Sequence, residues 1–320
     1  MDFAKLRHML RLVPDDSSFE FVAKRKLFIT ISVLMLIIGG VSLGLRGINF
    51  GIDFLGGILI ETQIEAAESA PTIRTALQGG GFGDVSVQEF GESDIMLIRI
   101  ERQSGGDQAQ SQAIANVKRM LEGKVVEYRR VETVGPTIGA ELRQAALWAV
   151  LSAIGAILCY IWLRFEWQFG LGAVLALTHD VGLALGLFAL IGIEFNLASV
   201  AALLTIAGYS INDTVVIYDR VRENLRRFRK SPLEEICNRS INQTLARTLI
   251  TSVTTMLALI ALFVFGGTII RNFALVMMFG VMIGTWSSIA LAVPFLLWLR
   301  PAPPAEEEEQ QQSPSDGIMP

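Results

Sequence analysis

The stretch 195–224, FNLASVAALLTIAGYSINDTVVIYDRVREN, combines a long apolar run with an aspartate at position 213. A transmembrane helix needs about 20 mainly apolar residues, and we therefore predict that residues 195–218 cross a bilayer. Insertion scales assign a cost of about 2.5–3.5 kcal/mol to an aspartate at a helix centre and a gain of only about 0.3–0.6 kcal/mol to each Leu, Ile, Phe or Val. Asp213 cancels much of the apolar gain, and Asn212 removes more. We expect this helix to face other helices, a water-filled cavity or a partner subunit.

Composition places the whole chain among membrane proteins. Of its 320 residues, 52% are hydrophobic and 18% are charged, whereas soluble domains carry about 45–50% and about 25%. The excess collects in long runs, which argues against an ordinary soluble enzyme, a disordered chain and a disulfide-stapled secreted module. We predict six spans, at residues 27–45, 145–163, 169–192, 195–218, 245–267 and 272–299. The first run is longer than the core of about 7–15 residues in a signal peptide, and we predict that it is retained.

The types of residue present argue against several functions. The net charge of −4 offers no broad basic surface for nucleic acid. Cys159 and Cys237 cannot form a disulfide framework, and the two histidines have no metal-ligand spacing. We therefore expect no metal and no cofactor. The sequence also contains no visible constellation for covalent chemistry, and we expect that the protein is not an enzyme.

The basic residues predict how the chain lies across the membrane. Lys and Arg concentrate in residues 1–26, before the first span, and in the loop 219–244, between the fourth and fifth spans. Cytoplasmic loops carry an excess of Lys and Arg, so with six spans both termini are predicted to be cytoplasmic and residues 46–144 to lie outside. This orientation accounts for the basic loop more readily than partner binding does.

Transmembrane helices 2–6 are predicted to occupy residues 145–299. The two ends of the chain are predicted to lie outside the membrane spans. Residues 3–13 place basic residues between apolar ones, as either a short interfacial helix or an ordinary amphipathic turn would. The cytoplasmic tail 300–320 is rich in Pro, Glu and Gln and is predicted to be acidic and disordered.

Residues 46–144 are predicted to form a small soluble domain. Strands are predicted from alternating apolar residues, and helices from apolar residues spaced three or four apart. The strands fall at 58–65, 84–90, 94–101 and 124–132, and the helices at 71–79 and 107–122. The order βαββαβ predicts a ferredoxin-like α+β layer. The predicted fold class is therefore an α-helical membrane protein with six transmembrane helices and this domain between helices 1 and 2.

Asp213 and Arg247 are the candidate functional pair. The fourth span runs inward and the fifth runs outward, so both residues are expected near the inner ends of neighbouring helices, where an ion pair would lower the cost of burying each. Three interpretations stay open. The carboxylate takes up and releases protons, or it forms a static structural ion pair, or it reaches to the interface from a helix end.

Further polar residues in the spans could hold waters and conduct protons. They are Tyr209, Asn212, Thr251 and Thr255. These residues share a helix face with Asp213 or Arg247, or lie next to that face. His179 and Asp180, in the third span, are either relay residues or a structural hydrogen-bonded pair. The G-x-x-x-G spacings at 182/186 and 280/284 predict close helix contacts.

Five motifs of the chain resemble those of one family. They are FGIDFLGG (50–57), VGPTIGAEL (134–142), THD (178–180), GYSINDTVVIYDRVREN (208–224) and NRSINQTLARTLITSVTT (238–255). Together they resemble the SecF family, the smaller half of the bacterial SecDF accessory complex of the protein translocase, in the RND superfamily. The similarity extends over residues 12–299, and the motif of the fourth span is its most specific part.

The resemblance implies an RND-like half with a periplasmic domain, a multi-pass protein of the bacterial inner membrane. It implies a SecD partner, a separate six-helix chain, with which the proton-motive force assists preprotein translocation. The other implied partners are the SecYEG channel with SecA, the unfolded preprotein, YajC, YidC and membrane lipid, and no nucleic acid. The resemblance also implies that Asp213 and Arg247 belong to the proton pathway, which an aspartate of SecD completes.

Three functions are compatible with these observations. The first is an auxiliary subunit of Sec protein export that uses the proton-motive force. The alternative is an RND-type exporter of small molecules or lipids, which the modest external segment disfavours because it offers no drug-binding cleft. The third is a structural scaffold whose buried charges only fix helix register.

Overall fold

The computed structural model describes residues 18–65, 68–90, 92–266 and 268–301. The predicted segment 3–13 and nearly all of the predicted tail 300–320 lie outside these residues. In chain order the elements are α1 (Arg25–Arg46), α2 (Ile52–Leu55), β1 (Gly57–Ile64), α3 (Ala70–Gln78), β2 (Val85–Phe90), β3 (Glu92–Ile100), α4 (Gly106–Met120), β4 (Val125–Val134), α5 (Pro136–Arg164), α6 (Trp167–Ile191), α7 (Leu197–Arg227), α8 (Leu233–Phe265), α9 (Thr268–Ser287), a π-helix (Ser288–Ala292) and α10 (Val293–Leu299).

Six helical stretches within the described residues are long and apolar enough to cross a membrane, namely α1, α5, α6, α7, α8 and the stretch from α9 to α10. This confirms the predicted number of spans. Two helices begin well before their apolar runs, α5 at Pro136 rather than near 145 and α8 at Leu233 rather than near 245. α7 continues past its apolar run to Arg227, and the next strong helix breaker, Pro232, comes shortly after this end. The apolar runs therefore locate the lipid-crossing parts of these helices and not their ends.

The domain between α1 and α5 is a four-stranded sheet with two helices, α3 and α4. The strand order is β2-β3-β1-β4, and every neighbouring pair is antiparallel, which is the arrangement of a ferredoxin-like βαββαβ fold. A hydrophobic cluster forms its core and includes Ile58, Ile60, Ile73, Ile98 and Val117. The predicted layer is confirmed, and residue 91, between β2 and β3, lies outside the described residues.

The membrane helices divide into an inner set and an outer set. In the most apolar part of α6, of α7 and of the α9–α10 stretch, at least half of the residues are buried, whereas α1, α5 and α8 are mostly exposed there. Several polar side chains on the inner helices, among them Asp180, Ser210 and Asp213, are buried and therefore shielded from lipid by protein. This shielding lowers the cost of placing them at membrane depth.

Glycines allow neighbouring helices to approach closely. A Cβ atom at Gly186 of α6 would lie 2.6 Å from Cα of Gly39 on α1, a distance that real Cβ atoms do not show. A Cβ atom at Gly284 of α9 would lie 3.0 Å from Cβ of Ser210 on α7. The close contacts predicted from the two G-x-x-x-G spacings are therefore present. The second contact brings α9 against the central part of α7.

The last predicted span contains an interruption. Residues Ser288–Ala292 form a π-helix between α9 and α10. Pro294 follows after one residue, Val293, and it lacks the N–H group that an α-helix requires while its ring crowds the preceding turn. The hydroxyl of Tyr218 on α7 donates to the carbonyl oxygen of Ala292 at 2.9 Å. Apolar composition predicts the span but not this interruption.

Candidate functional site

Asp213 lies on α7 and is only 2% exposed. Its carboxylate is hydrogen-bonded to the side chain of Thr285 on α9 and attracted by the charge of Arg247 on α8. The carboxylate oxygen Oδ2 is buried and has no hydrogen-bond partner among the described residues. An ionised carboxylate in this position is incompletely solvated. A proton, a water molecule or a closer cation would stabilise it.

A chain of hydroxyl groups leads away from Asp213. Thr285 Oγ1 lies 2.7 Å from Ser252 Oγ on α8, and Tyr209 Oη donates to the same Ser252 Oγ at 3.2 Å. Each hydroxyl can both donate and accept a hydrogen bond, so a chain of hydroxyls can pass a proton when they rotate. Tyr209 is among the candidates that the sequence provides, whereas Thr285 and Ser252 are not.

A second buried carboxylate, Asp180 of α6, is 1% exposed. Its Oδ1 is 2.8 Å from His179 Nδ1, so the predicted neighbours are joined by a hydrogen bond. Its Oδ2 accepts hydrogen bonds from the hydroxyls of Ser287 on α9, at 2.7 Å, and of Ser210 on α7. Both carboxylate oxygens are therefore engaged. His179 Nε2 is buried and has no partner in the described part of the chain.

The contact between α7 and α9 supplies partners to both carboxylates. Ser210 and Asp213 are three residues apart and lie on the same side of α7. Thr285 and Ser287 lie close together on α9, and they bind Asp213 and Asp180 respectively. The sequence provides Asp213 and Asp180 as candidates. It does not single out Ser287, whose only sequence signal is a hydroxyl within an apolar run.

Arg247 is near Asp213 but is not paired with it. The Arg247 side chain is exposed on α8, and within the described residues no ion pair of 4.0 Å or less joins it to Asp213. Its charge nevertheless stabilises the ionised carboxylate.

The other sequence candidates point elsewhere. Asn212 is exposed, next to the buried Asp213. The hydroxyls of Thr251 and Thr255 donate to backbone carbonyls of their own helix, those of Thr248 and Thr251. The structure therefore brings Tyr209 into the hydrogen-bond chain of Asp213 and leaves these three side chains outside it.

A polar part of the helix surface beside the site is uncovered. On α7, Thr205, Gly208 and Asn212 are exposed at successive turns, and Arg247 is exposed on α8. Polar residues at membrane depth usually face protein or water. This surface, which we call the polar face, is therefore suited to packing against another membrane protein.

The chain is similar to known families and proteins along most of its length. Residues 114–302 match the family described as Protein export membrane protein SecD/SecF, C-terminal, and residues 41–68 match the SecD/SecF GG Motif. The chain is 43% identical to the protein translocase subunit SecF of Rickettsia rickettsii (strain Sheila Smith), over 90% of this chain and 94% of the relative. It is 44% identical to that of Rickettsia bellii (strain OSU 85-389), over 90% of this chain and 95% of the relative.

Solved structures are similar as well. The crystal structure of SecDF, a translocon-associated membrane protein, from Thermus thermophilus matches with a TM-score of 0.82 and 34% identity, over 93% of this chain and 41% of that chain. SecDF in its super-membrane-facing form matches with a TM-score of 0.65 and 36% identity, over 89% of this chain and 39% of that chain. The chain therefore spans less than half of the SecDF chains and nearly all of the Rickettsia proteins.

Proposed function

The chain belongs to the SecD/SecF family of protein export membrane proteins, and on that premise we propose that it uses Asp213 to couple proton movement to preprotein export. Its relatives are protein translocase subunits, and its role is that of an accessory component of Sec protein export. The observation that carries the proton-coupling proposal is the Asp213 carboxylate, 2% exposed, with one oxygen that lacks a partner among the described residues.

Two states of Asp213 are compatible with its surroundings. When it is protonated, the group is neutral and can stay beside Thr285 without the solvation that an anion needs. When it is ionised, it attracts the Arg247 guanidinium, and a closer approach would stabilise the charge. Alternation between the states would shift α7 relative to α8. The hydroxyls of Ser252 and Tyr209 support this proposal because they offer a path for the proton.

The proton-motive force supplies enough free energy for such a shift. One charge that crosses 100 mV releases about 2.3 kcal/mol. An equilibrium between two conformations that differ by a few kcal/mol responds to a free energy of this size. In our proposal the external domain changes its position in the same cycle and acts on the preprotein.

We propose a SecD partner in a separate chain, because SecDF contains the equivalent of this chain as 41% of its length. The polar face is where we expect this partner, and an aspartate of SecD would complete the proton pathway. The complex would lie in the bacterial inner membrane with both termini cytoplasmic and residues 46–144 periplasmic. SecYEG with SecA, YajC and YidC are proposed neighbours, and an unfolded preprotein is the proposed substrate.

The alternative, an exporter of small molecules or lipids, is not favoured, because relatives that match 90% of the chain are protein translocase subunits. A purely structural role for Asp213 and Arg247 makes a different prediction. If Asp213 and Arg247 only fix helix register, replacing both by leucine leaves export intact.

The test is Asp213→Asn in the chain assembled with SecD and SecYEG in inverted inner-membrane vesicles. Asparagine keeps the size of the side chain and can still accept a hydrogen bond, but it cannot take up a proton. We expect the variant to co-purify with SecD in normal amounts. We also expect it to lose the increase in preprotein export that an imposed proton-motive force gives in the wild type.

Asp219→Asn is the matched control for this experiment. Asp219 lies on the same helix, but its side chain is exposed and paired with Arg164 at 2.7 Å. This variant should keep the proton-dependent increase. Full proton-dependent export by Asp213→Asn, at equal membrane levels, would refute the proposal.

A further inference from the structure

The FGIDFLGG motif connects α1 to the external domain, and it is also bound to the loop that leads into α7. Phe50 and Phe195 form a parallel β-bridge. The N–H of Gly51 donates to the Phe195 carbonyl, and the N–H of Phe195 donates to the Asn49 carbonyl, both at 2.8 Å. The ring of Phe54 stacks on that of Phe195. The base of the external domain is therefore attached to the outer end of the helix bundle.

Asp53, in the same motif, caps α7. Its Oδ2 accepts a hydrogen bond at 2.9 Å from the N–H of Leu197, the first residue of α7. The capping box of the helix, formed by Asn196 and Ser199, satisfies other N–H groups at this end. A carboxylate at a helix N-terminus is also stabilised by the helix dipole. Asp53 is therefore held to α7 by a hydrogen bond and by electrostatic attraction.

A second connection comes from the sheet. Arg99 of β3 forms an ion pair with Glu194 at 3.3 Å and donates to Asn49 Oδ1 at 3.0 Å. The side chains of Arg99 and Glu194 are only 18% and 12% exposed, so solvent and salt screen this pair less than a surface ion pair. Glu194 comes shortly before α7. The ion pair therefore ties the sheet of the external domain to the entrance of this helix.

The two glycines that end the motif keep this region compact. Gly56 and Gly57 have positive φ angles of 73° and 119°, and residues other than glycine rarely adopt such angles. A Cβ atom at Gly57 would lie 2.5 Å from the carbonyl oxygen of Ile100 on β3. The motif therefore leads directly into β1, which pairs with β3, and does not act as a loose linker.

We propose that Asp53 and the Arg99–Glu194 ion pair form a latch that makes the external domain follow the outer end of α7. This inference rests on the proposed function, in which α7 shifts as Asp213 changes its charge. Asp213 lies about 24 Å along the helix from Leu197, at 1.5 Å per residue, and α7 is continuous between them. A shift at Asp213 therefore reaches the latch through one helix. Asp53 is a positioning residue, because it acts through α7.

Asp53→Ala tests the latch in the full chain assembled with SecD. Spin labels at positions 127 on β4 and 201 on α7, both exposed, report the distance between the external domain and α7 by pulsed electron paramagnetic resonance. We expect one narrow distance distribution in the wild type at low and at high pH, and a broad distribution in Asp53→Ala. Asp53→Asn should behave as the wild type, because an amide oxygen also caps a helix.

Export distinguishes a latch from a contact that only stabilises the fold. We expect proton-dependent export to fall by about tenfold in Asp53→Ala, since a hydrogen bond to a charged group is lost. Export driven by SecA alone and the amount of assembled complex should not change. Glu68→Gln is the matched control and should change none of these readouts, because the Glu68–Lys124 ion pair, at 2.6 Å, lies wholly within the external domain.

Charge reversal provides a second test if Asp53→Ala does not accumulate. Arg99→Glu and Glu194→Arg should each lower proton-dependent export, and the two together should restore it. If neither single variant lowers export, or if the double variant does not restore it, the ion pair is not part of the latch. Wild-type export and a narrow distance distribution in Asp53→Ala would overturn the latch, while loss of proton-dependent export in Asp213→Asn would still support the proposed function.

Discussion

The two buried aspartates of the helix bundle differ in how fully their oxygens are occupied. Both oxygens of Asp180 are engaged, by His179 on one side and by Ser210 and Ser287 on the other. Asp213 has one oxygen without a partner among the residues described. A proton can therefore bind Asp213 without breaking an existing hydrogen bond, whereas at Asp180 it would displace one. We infer that Asp180 holds three helices together and that Asp213 is the group that changes its charge.

Thr285→Val tests whether one hydroxyl group is needed for the proton path from Asp213. Valine keeps the branched shape of threonine but removes the hydroxyl that links Asp213 to Ser252. We expect proton-dependent export to fall by about tenfold or more, because a hydrogen bond to a charged group is worth about 1.5–3 kcal/mol. The measurement is the initial rate of export into inverted vesicles with and without a proton-motive force. Thr285→Ser keeps the hydroxyl and should keep the rate, and an unchanged rate in Thr285→Val would exclude this route for the proton.

The sequence identifies buried charges more readily than it identifies their partners. Asp213 stands out because a charge in an apolar run is costly and rare. Thr285 does not, because hydroxyl side chains in helices often bond to their own backbone. Thr251 does so, while the next residue, Ser252, also contacts Thr285. The packing of α7, α8 and α9 decides which of these hydroxyls contacts the carboxylate. A single sequence does not reveal this packing.

Among the elements, α7 connects the parts of the molecule that the proposed function requires. Its 31 residues would extend about 46 Å, which exceeds the hydrocarbon core of about 30 Å. The helix therefore begins beside the ferredoxin-like domain, where Asp53 caps it, carries Asp213 inside the bundle, and ends in the basic segment at Arg227. A single helix of this length can carry a displacement from the buried site to both surfaces.

Close packing of α1 on α6 makes a prediction about stability. In Gly186→Ala the new Cβ atom would lie 2.6 Å from Cα of Gly39, so the two helices must separate. We expect a loss of about 1–3 kcal/mol in the free energy of unfolding, as for other overpacked contacts. Gly40→Ala is the control, because no atom of another helix lies within 4 Å of its Cβ position. Thermal unfolding of the purified protein in detergent measures both, and equal midpoints would contradict the close contact.

The sequence predicts the number of spanning helices and the order of the strands, but not where several helices begin. An apolar run reports contact with lipid, and helical residues outside the bilayer are stabilised by other means. At the start of α5, a Cβ atom at Gly139 would lie 3.3 Å from the backbone nitrogen of Gly56, so tertiary packing fixes this end. The π-helix before Pro294 depends likewise on local backbone geometry. The hydropathy of the sequence carries no signal of either feature.

At the scale of the whole molecule, most of the polar face and the Asp213 carboxylate belong to the same two motifs. Residues 208–224 contain Asp213 together with the exposed Gly208 and Asn212, and residues 238–255 contain Arg247. Exposing polar and charged side chains such as Asn212 and Arg247 to lipid would cost free energy. The arrangement is therefore that of one part of a larger assembly, in agreement with the coverage of only 41% of the SecDF chain.

The orientation of the assembly decides whether the proposed function is physically possible. Replacing Glu127 or Arg226, both exposed, by cysteine in a chain without Cys159 and Cys237 allows each side of the membrane to be labelled. Because Lys and Arg stay cytoplasmic, we expect a membrane-impermeant maleimide to label position 127 in intact spheroplasts and position 226 only after permeabilisation. The reverse pattern would place the ferredoxin-like domain in the cytosol, where it could not act on a preprotein that emerges on the other side, and would contradict export assistance by this domain.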